Sequence, residues 1–163
     1  PVLSSAASDV YKRQIKDNVE LNDIPKESSM LGKANLVKVG NDMTIVAYSN
    51  MVNVAKEAIA AEELQNYSIE LIDLQTVSPI DYDTIKNSLK KTKRLLVCQE
   101  APSNSSVGTT VISKIVESEL FHELEVAPNL VSGLHSPMPS AKHLELNVIP
   151  QAEDITNAVK SML

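Results

Sequence analysis

The chain has 163 residues, 43% of them hydrophobic and 22% charged, which suffices for one hydrophobic core and falls short of two comfortable ones. A formal net charge of -6 excludes a surface built to neutralise nucleic-acid phosphates, and a single cysteine excludes an internal disulfide. No apolar run approaches the ~20 residues of a bilayer span and no secretory leader pattern opens the chain, so a soluble, reducing setting is expected.

The opening PVLSSAASDVYKRQ, residues 1–14, starts with Pro1 and shows no apolar periodicity. It reads as a non-native or junction segment, disordered, on a fragment or processed chain. Residues 15–30 are polar and charged with Pro25, and form a linker; the domain is expected over residues 31–163.

ANLVKV (34–39) and MTIVAY (43–48) are strand-like runs separated by the turn residues Gly40, Asn41 and Asp42, a local hairpin signal. Over 51–64, Val54, Ala55, Ala58, Ile59 and Ala61 recur at helical spacing. IELIDL (69–74) is a β-branched run. After Ser78 and Pro79, residues 81–91 form a second helix, with Asp81 and Asp83 at its start and lysines at its end, matching the helix dipole. The basic run Lys90, Lys91, Thr92, Lys93, Arg94 is therefore read as helix-terminal cations rather than a polyanion site.

RLLVCQ (94–99) is the most continuously apolar strand, as expected for one covered on both faces. Val111, Ile112, Ile115, Val116 and Leu120 give the next helical stripe. NLVSGL (129–134) is a shorter strand, and a loop with Pro137, Pro139 and Pro150 precedes a last helix carrying Ile155, Ala158, Val159 and Met162. Such alternation predicts a mostly parallel sheet with helices on both faces, an α/β sandwich of three layers, with ligands beyond the strand C-terminal ends.

The loop at that edge admits three chemistries. Gly108 stands alone, without the convergent glycines of a phosphate cradle. Cys98 lies inside an apolar strand, where a free thiol serves as a small buried hydrophobe more often than as a nucleophile. Glu100 is expected to end its strand where side chains emerge; a lone carboxylate there more commonly caps the next segment or pairs with a cation than catalyses. His122, His135 and His143 offer no zinc-ligand spacing.

Several segments in order carry a resemblance: LGKANLVKVGNDMTIVAYSNMV, IELIDLQTVSPIDYDTI, KRLLVCQEAP, VGTTVISKI and SPMPSAKHLELNVIPQAEDITNAV. Together they resemble the C-terminal transketolase-like domain of the beta subunit of thiamine diphosphate-dependent 2-oxoacid dehydrogenases. The pair PMP-x-AK-x-LE and IPQ-x-x-DI brings it nearest to the pyruvate dehydrogenase type. The resemblance covers residues 31–163. It implies a five-stranded mixed sheet with strand one antiparallel and paired to strand three, against the local hairpin signal.

It also implies that thiamine diphosphate and Mg belong to the intact enzyme, between the alpha subunit and an N-terminal pyrimidine-binding domain of the beta subunit. No catalytic, cofactor-binding or metal-binding residue is assigned in this chain, which alone is expected to be inactive. What remains is assembly with an alpha subunit and a second beta subunit in a heterotetramer, docking of an acyltransferase core subunit, and self-association of the isolated domain. The interface candidates are Glu100 and Thr110 in a crossover spanning 100–110, His135, Pro137, Met138 and Pro139, and Leu163 at the C-terminal end. Thr110, Gln75, His135 and Ser140 depart from the usual Glu, Arg, Asp and aromatic residue, each removing a charge or a ring. The expected location is cytoplasmic in a bacterium, and mitochondrial matrix or plastid in a eukaryote. The reading from another class is a free-standing, flavodoxin-like domain binding a small ligand at the sheet edge.

Overall fold

Alternating apolar runs and helical stripes become five strands and their crossovers in the computed structural model, which describes residues 30–163 except Ser105. The junction expected at 1–14, and the linker apart from Met30, lie outside these residues. The chain forms β1 (Asn35–Lys38), β2 (Met43–Ala47), α1 (Met51–Ala60), β3 (Ile69–Asp73), α2 (Tyr82–Thr92), β4 (Leu95–Pro102), α3 (Val107–Val116), β5 (Asn129–Gly133), a single-turn α4 (Lys142–Glu145) and α5 (Ala152–Met162). Short 3-10 turns at Glu62–Leu64 and Glu119–Glu123 follow α1 and α3.

The sheet order is β1-β3-β2-β4-β5. β1 runs antiparallel to β3, whereas β2 pairs in parallel with both β3 and β4, and β4 in parallel with β5. The architecture is the mixed sheet expected, and its antiparallel edge separates it from an all-parallel flavodoxin-like sheet. Gly40, Asn41 and Asp42 do not close a hairpin. The backbone N–H groups of Asn41 and Asp42 both donate to the Ser68 carbonyl, at 2.7 and 2.8 Å. A Cβ on Gly40 would lie 2.2 Å from the Ile69 carbonyl carbon, so only glycine lets this turn approach the start of β3.

Successive strand residues point to opposite faces, and the two faces carry separate cores. Ile45, Ala47, Leu71, Leu96 and Cys98 pack with Ala55 and Ile59 of α1 and Ile155 and Val159 of α5. Val46, Ile72, Leu95 and Val97 pack with Ile85 and Leu89 of α2 and Val111 and Ile115 of α3. All the strand residues named are fully buried.

Two helical expectations need correction. The first helix stops at Ala60, and Leu64 reaches the core from a 3-10 turn instead. α3 likewise ends at Val116, which is 42% exposed, while Leu120 is buried from the following turn. The basic run at the end of α2 is structural, as read: Lys91 pairs with buried Glu70, and Arg94 pairs with Glu125 at 2.7 Å.

A cleft at the diverging strand ends as candidate functional site

β2 lies at the centre of the sheet, and the chain leaves it through α1 to β3 on one side but returns through α2 to β4 on the other. Connections that diverge in this way open a crevice at the strand C-terminal ends. A cleft of about 430 Å³ occupies that place, lined by Tyr48 and Ser49 after β2, by Glu100, Ala101 and Pro102 of β4, and by Ser136 and Met138 beyond β5.

The walls are held from inside. Gln99, fully buried, donates from Nε2 to the carbonyls of Ala101 and Pro102 at 2.9 and 3.1 Å, and its Oε1 accepts the Gly108 N–H at 2.7 Å. This side chain ties the end of β4 to the first turn of α3. Ser106 and Thr109 then close a capping box that fixes where α3 starts. On the facing wall Ser49 adopts φ 56°, and at the end of β3 Gln75 adopts φ 52°. Left-handed non-glycine residues at this edge mark turns whose geometry the surrounding fold imposes.

Tyr48 is half-buried, and burial, with the Glu100 carboxylate as a second cause, pushes its phenol above the ordinary value. Among the described residues no lysine or arginine forms an ion pair with Glu100; the cations that pair engage Asp81, Glu70, Glu125, Glu117 and Glu63.

The structure brings Glu100 and Met138 to one cleft and leaves the other sequence candidates outside its lining. His135 and Pro137 are exposed on the same segment as Met138, and Pro139 is half-buried. Thr110 is exposed in the first turn of α3, where its hydroxyl donates to the Ser106 carbonyl at 2.9 Å. Leu163 packs partly buried against the α1 and α5 core. Glu100 does not end its strand: β4 continues to Pro102, whose pairing with Gly133 follows a register shift. Thr110 belongs to α3, which starts at Val107, so the expected crossover 100–110 takes in the end of β4 and the first turn of α3. Tyr48 and Ser49 were missed by sequence reasoning; the signal that finds them is their position just after the strand at which the connections diverge.

The other chemistries of this loop have structural answers. Gly108 is buried, its N–H is taken by Gln99, and an added Cβ would meet Gln99 Oε1 and Leu130 Cδ1, each at 2.6 Å. This glycine serves close packing. Cys98 is fully buried as a core residue, and burial pushes its thiol well above the ordinary range. Among the described residues no group of three or more His, Cys, Asp or Glu side chains is placed to hold a metal ion.

Beside the cleft, a groove of about 500 Å³ runs along edge strand β5, lined among others by Leu130, Leu134, Leu146 and Gln151. Leu134, Met138, Leu144 and Leu146 on the segment that follows that strand are each more than 40% exposed; Leu134 and Leu146 line this groove, and Met138 lines the cleft.

The sequence profile described as "Transketolase, C-terminal domain" matches residues 32–155, most of the folded chain. The chain belongs to the transketolase C-terminal domain family. It is similar to the pyruvate dehydrogenase E1 component subunit beta of Rickettsia bellii, 40% identical over 148 residues covering 91% of this chain and 43% of that protein. It is also similar to the mitochondrial subunit beta of Pisum sativum, 37% identical over 130 residues, covering 80% of this chain and 36% of that protein. The chain thus spans less than half the length of these curated relatives. Among solved structures, a split-gene transketolase, described as an inactive beta4 tetramer, superposes with a TM-score of 0.71 at 24% identity, covering 85% of this chain and 45% of that one. At that identity the likeness establishes the fold. No helix among the described residues is long and apolar enough to cross a membrane.

Proposed function

We propose that this domain is the assembly and partner-docking unit of the beta subunit of a pyruvate dehydrogenase-type 2-oxoacid dehydrogenase, whose intact form carries out oxidative decarboxylation. The observation that carries this reading is the exposure of the large apolar residues Leu134, Met138, Leu144 and Leu146 on the segment that follows edge strand β5. Large apolar side chains left in water along one segment are what a protein contact covers. Its rigid prolines, Pro137 and Pro139, reduce the conformational freedom lost on docking. The similarity to subunit beta of pyruvate dehydrogenases supports the choice of enzyme.

The partners are an alpha subunit, a second beta subunit and an acyltransferase core subunit, with self-association of the isolated domain through the same surface. Glu100, Thr110, His135 and Leu163 are further candidate contacts. The site of the reaction is the bacterial cytoplasm, or the mitochondrial matrix or plastid of a eukaryote. Thiamine diphosphate and Mg would be held outside this domain: among its described residues no His, Cys, Asp and Glu side chains are grouped to hold a metal ion, and its four glycines form no phosphate-binding loop, so no step of the chemistry is assigned to it.

A two-fold contact places the same patch on both chains, so one substitution acts twice. Met138→Asp is expected to shift a dimer to monomer in light scattering with an unchanged circular dichroism spectrum. A wild-type chain that stays monomeric at high concentration, or a dimer indifferent to the substitution, would show that this segment is not the docking surface.

A further inference from the structure

The cleft between the ends of β2 and β4 shares Glu100 and Met138 with the proposed docking surface and also has features that docking along β5 does not use. It lies where the connections diverge, the place at which open α/β sheets bind ligands. Its wall carries one carboxylate, Glu100, with no cationic partner among the described residues. Around that charge stand a half-buried phenol at Tyr48, hydroxyls at Ser49 and Ser136, and the thioether of Met138. The strained turn at Ser49 holds the facing wall, and the Gln99 clamp fixes the carbonyl ends of β4.

We propose that this cleft binds an organic monocation, a guanidinium or primary ammonium group, with Glu100 as its counter-charge and Tyr48 and Met138 as the soft wall against which it lies. The chemistry follows from the lining. A carboxylate accepts charge-assisted hydrogen bonds from such a group, and an aromatic face attracts it further. Aliphatic carbons next to the cation would contact Met138 and Pro102. The opposite charge is disfavoured, since an anion would meet an uncompensated carboxylate in a chain whose net charge is already -6.

The cation has two sources, a free small molecule or an arginine or lysine side chain of another protein, and one experiment separates them. The chain has five methionines, and Met138 alone lines the cleft, while Met43 and Met51 are fully buried. With methyl-labelled methionine, the chain is titrated at constant ionic strength with N-methylguanidinium, and with a capped Gly-Arg-Gly peptide. Methylurea and the citrulline version of the peptide are the neutral controls.

A saturable shift of the Met138 methyl signal is expected with the cations and not with the neutral isosteres, leaving Met43 and Met51 in place. Glu100→Gln should weaken the response by roughly 10-fold or more, as loss of a charged hydrogen bond implies. Binding of the peptide in preference to N-methylguanidinium assigns the cation to a protein side chain; the reverse assigns it to a small molecule. A neutral isostere that binds equally well, a response unchanged in a folded Glu100→Gln chain, or no saturable response to either cation overturns the proposal. The comparison of charged and neutral probes on the wild type decides even if the variant does not fold.

Discussion

Replacing Gln99 by leucine isolates the clamp that shapes the cleft. The two side chains are similar in size, so the substitution leaves packing nearly intact and removes three hydrogen bonds: from Nε2 to the Ala101 and Pro102 carbonyls, and from the Gly108 N–H to Oε1. The consequences differ for each partner. Ala101 is exposed and Pro102 half-buried, so water can replace the lost donor there at small cost. Gly108 is buried, and its N–H is left without an acceptor, a loss of about 1–3 kcal/mol. With a few tenths more from the two carbonyls, the expected destabilisation is about 1.5–3.5 kcal/mol. Urea unfolding followed by circular dichroism should show a lower midpoint with an unchanged slope. The Gly108 amide should also lose hydrogen-exchange protection beyond the global change. A stability change below about 0.5 kcal/mol with Gly108 still protected would refute the clamp.

Three further outcomes follow from the same geometry. Asp81 caps α2 by accepting the Thr84 N–H at 3.2 Å and also accepts the Ala34 N–H at 3.1 Å, so Asp81→Ala should cost about 1–2 kcal/mol in chemical denaturation. Burial alone would raise the Glu70 carboxyl, but hydrogen bonds from Lys91, Ser88 and the Gly40 N–H outweigh it and hold the group below its ordinary value. Its folded pKa is depressed, so its stabilisation is fully present above about pH 4.3, the unfolded value, and is lost as pH falls through the folded one. Glu70→Gln should lower the thermal midpoint at pH 7 and flatten its decline below that pH. The chain alone should show no micromolar heat of binding with thiamine diphosphate and magnesium in calorimetry.

Much of this fold is legible because periodicity is local. The stripes that predict α2 and α5 are the residues that meet the sheet, and the apolar run around Cys98 is a strand buried on both faces. Pairing of β1 is not local. Gly40, Asn41 and Asp42 have turn chemistry, yet their N–H groups bond Ser68 and Glu70, nearly thirty residues away, and only a family resemblance anticipates that. The strand end at Glu100 was misplaced for a related reason. Nothing in residues 99–102 shows that Gln99 will bond the two carbonyls ahead of it or that Pro102 will pair with Gly133. Of the cleft, Glu100 is readable as a carboxylate on the expected edge, whereas Met138 enters only through the family resemblance, as an interface candidate. Tyr48 and Ser49 became visible only once strand order fixed where the connections diverge.

The central claim, that residues 31–163 are an assembly domain of a pyruvate dehydrogenase-type beta subunit, is tested most directly by a domain exchange. The matching region of the Rickettsia bellii subunit beta, 40% identical, is replaced by these residues and co-expressed with its alpha subunit. Sedimentation and a pyruvate decarboxylation assay are then run on the same preparation. A heterotetramer retaining activity, and losing both when Met138→Asp is introduced, is the predicted result. A folded chimera that stays unassembled with the alpha subunit contradicts the account.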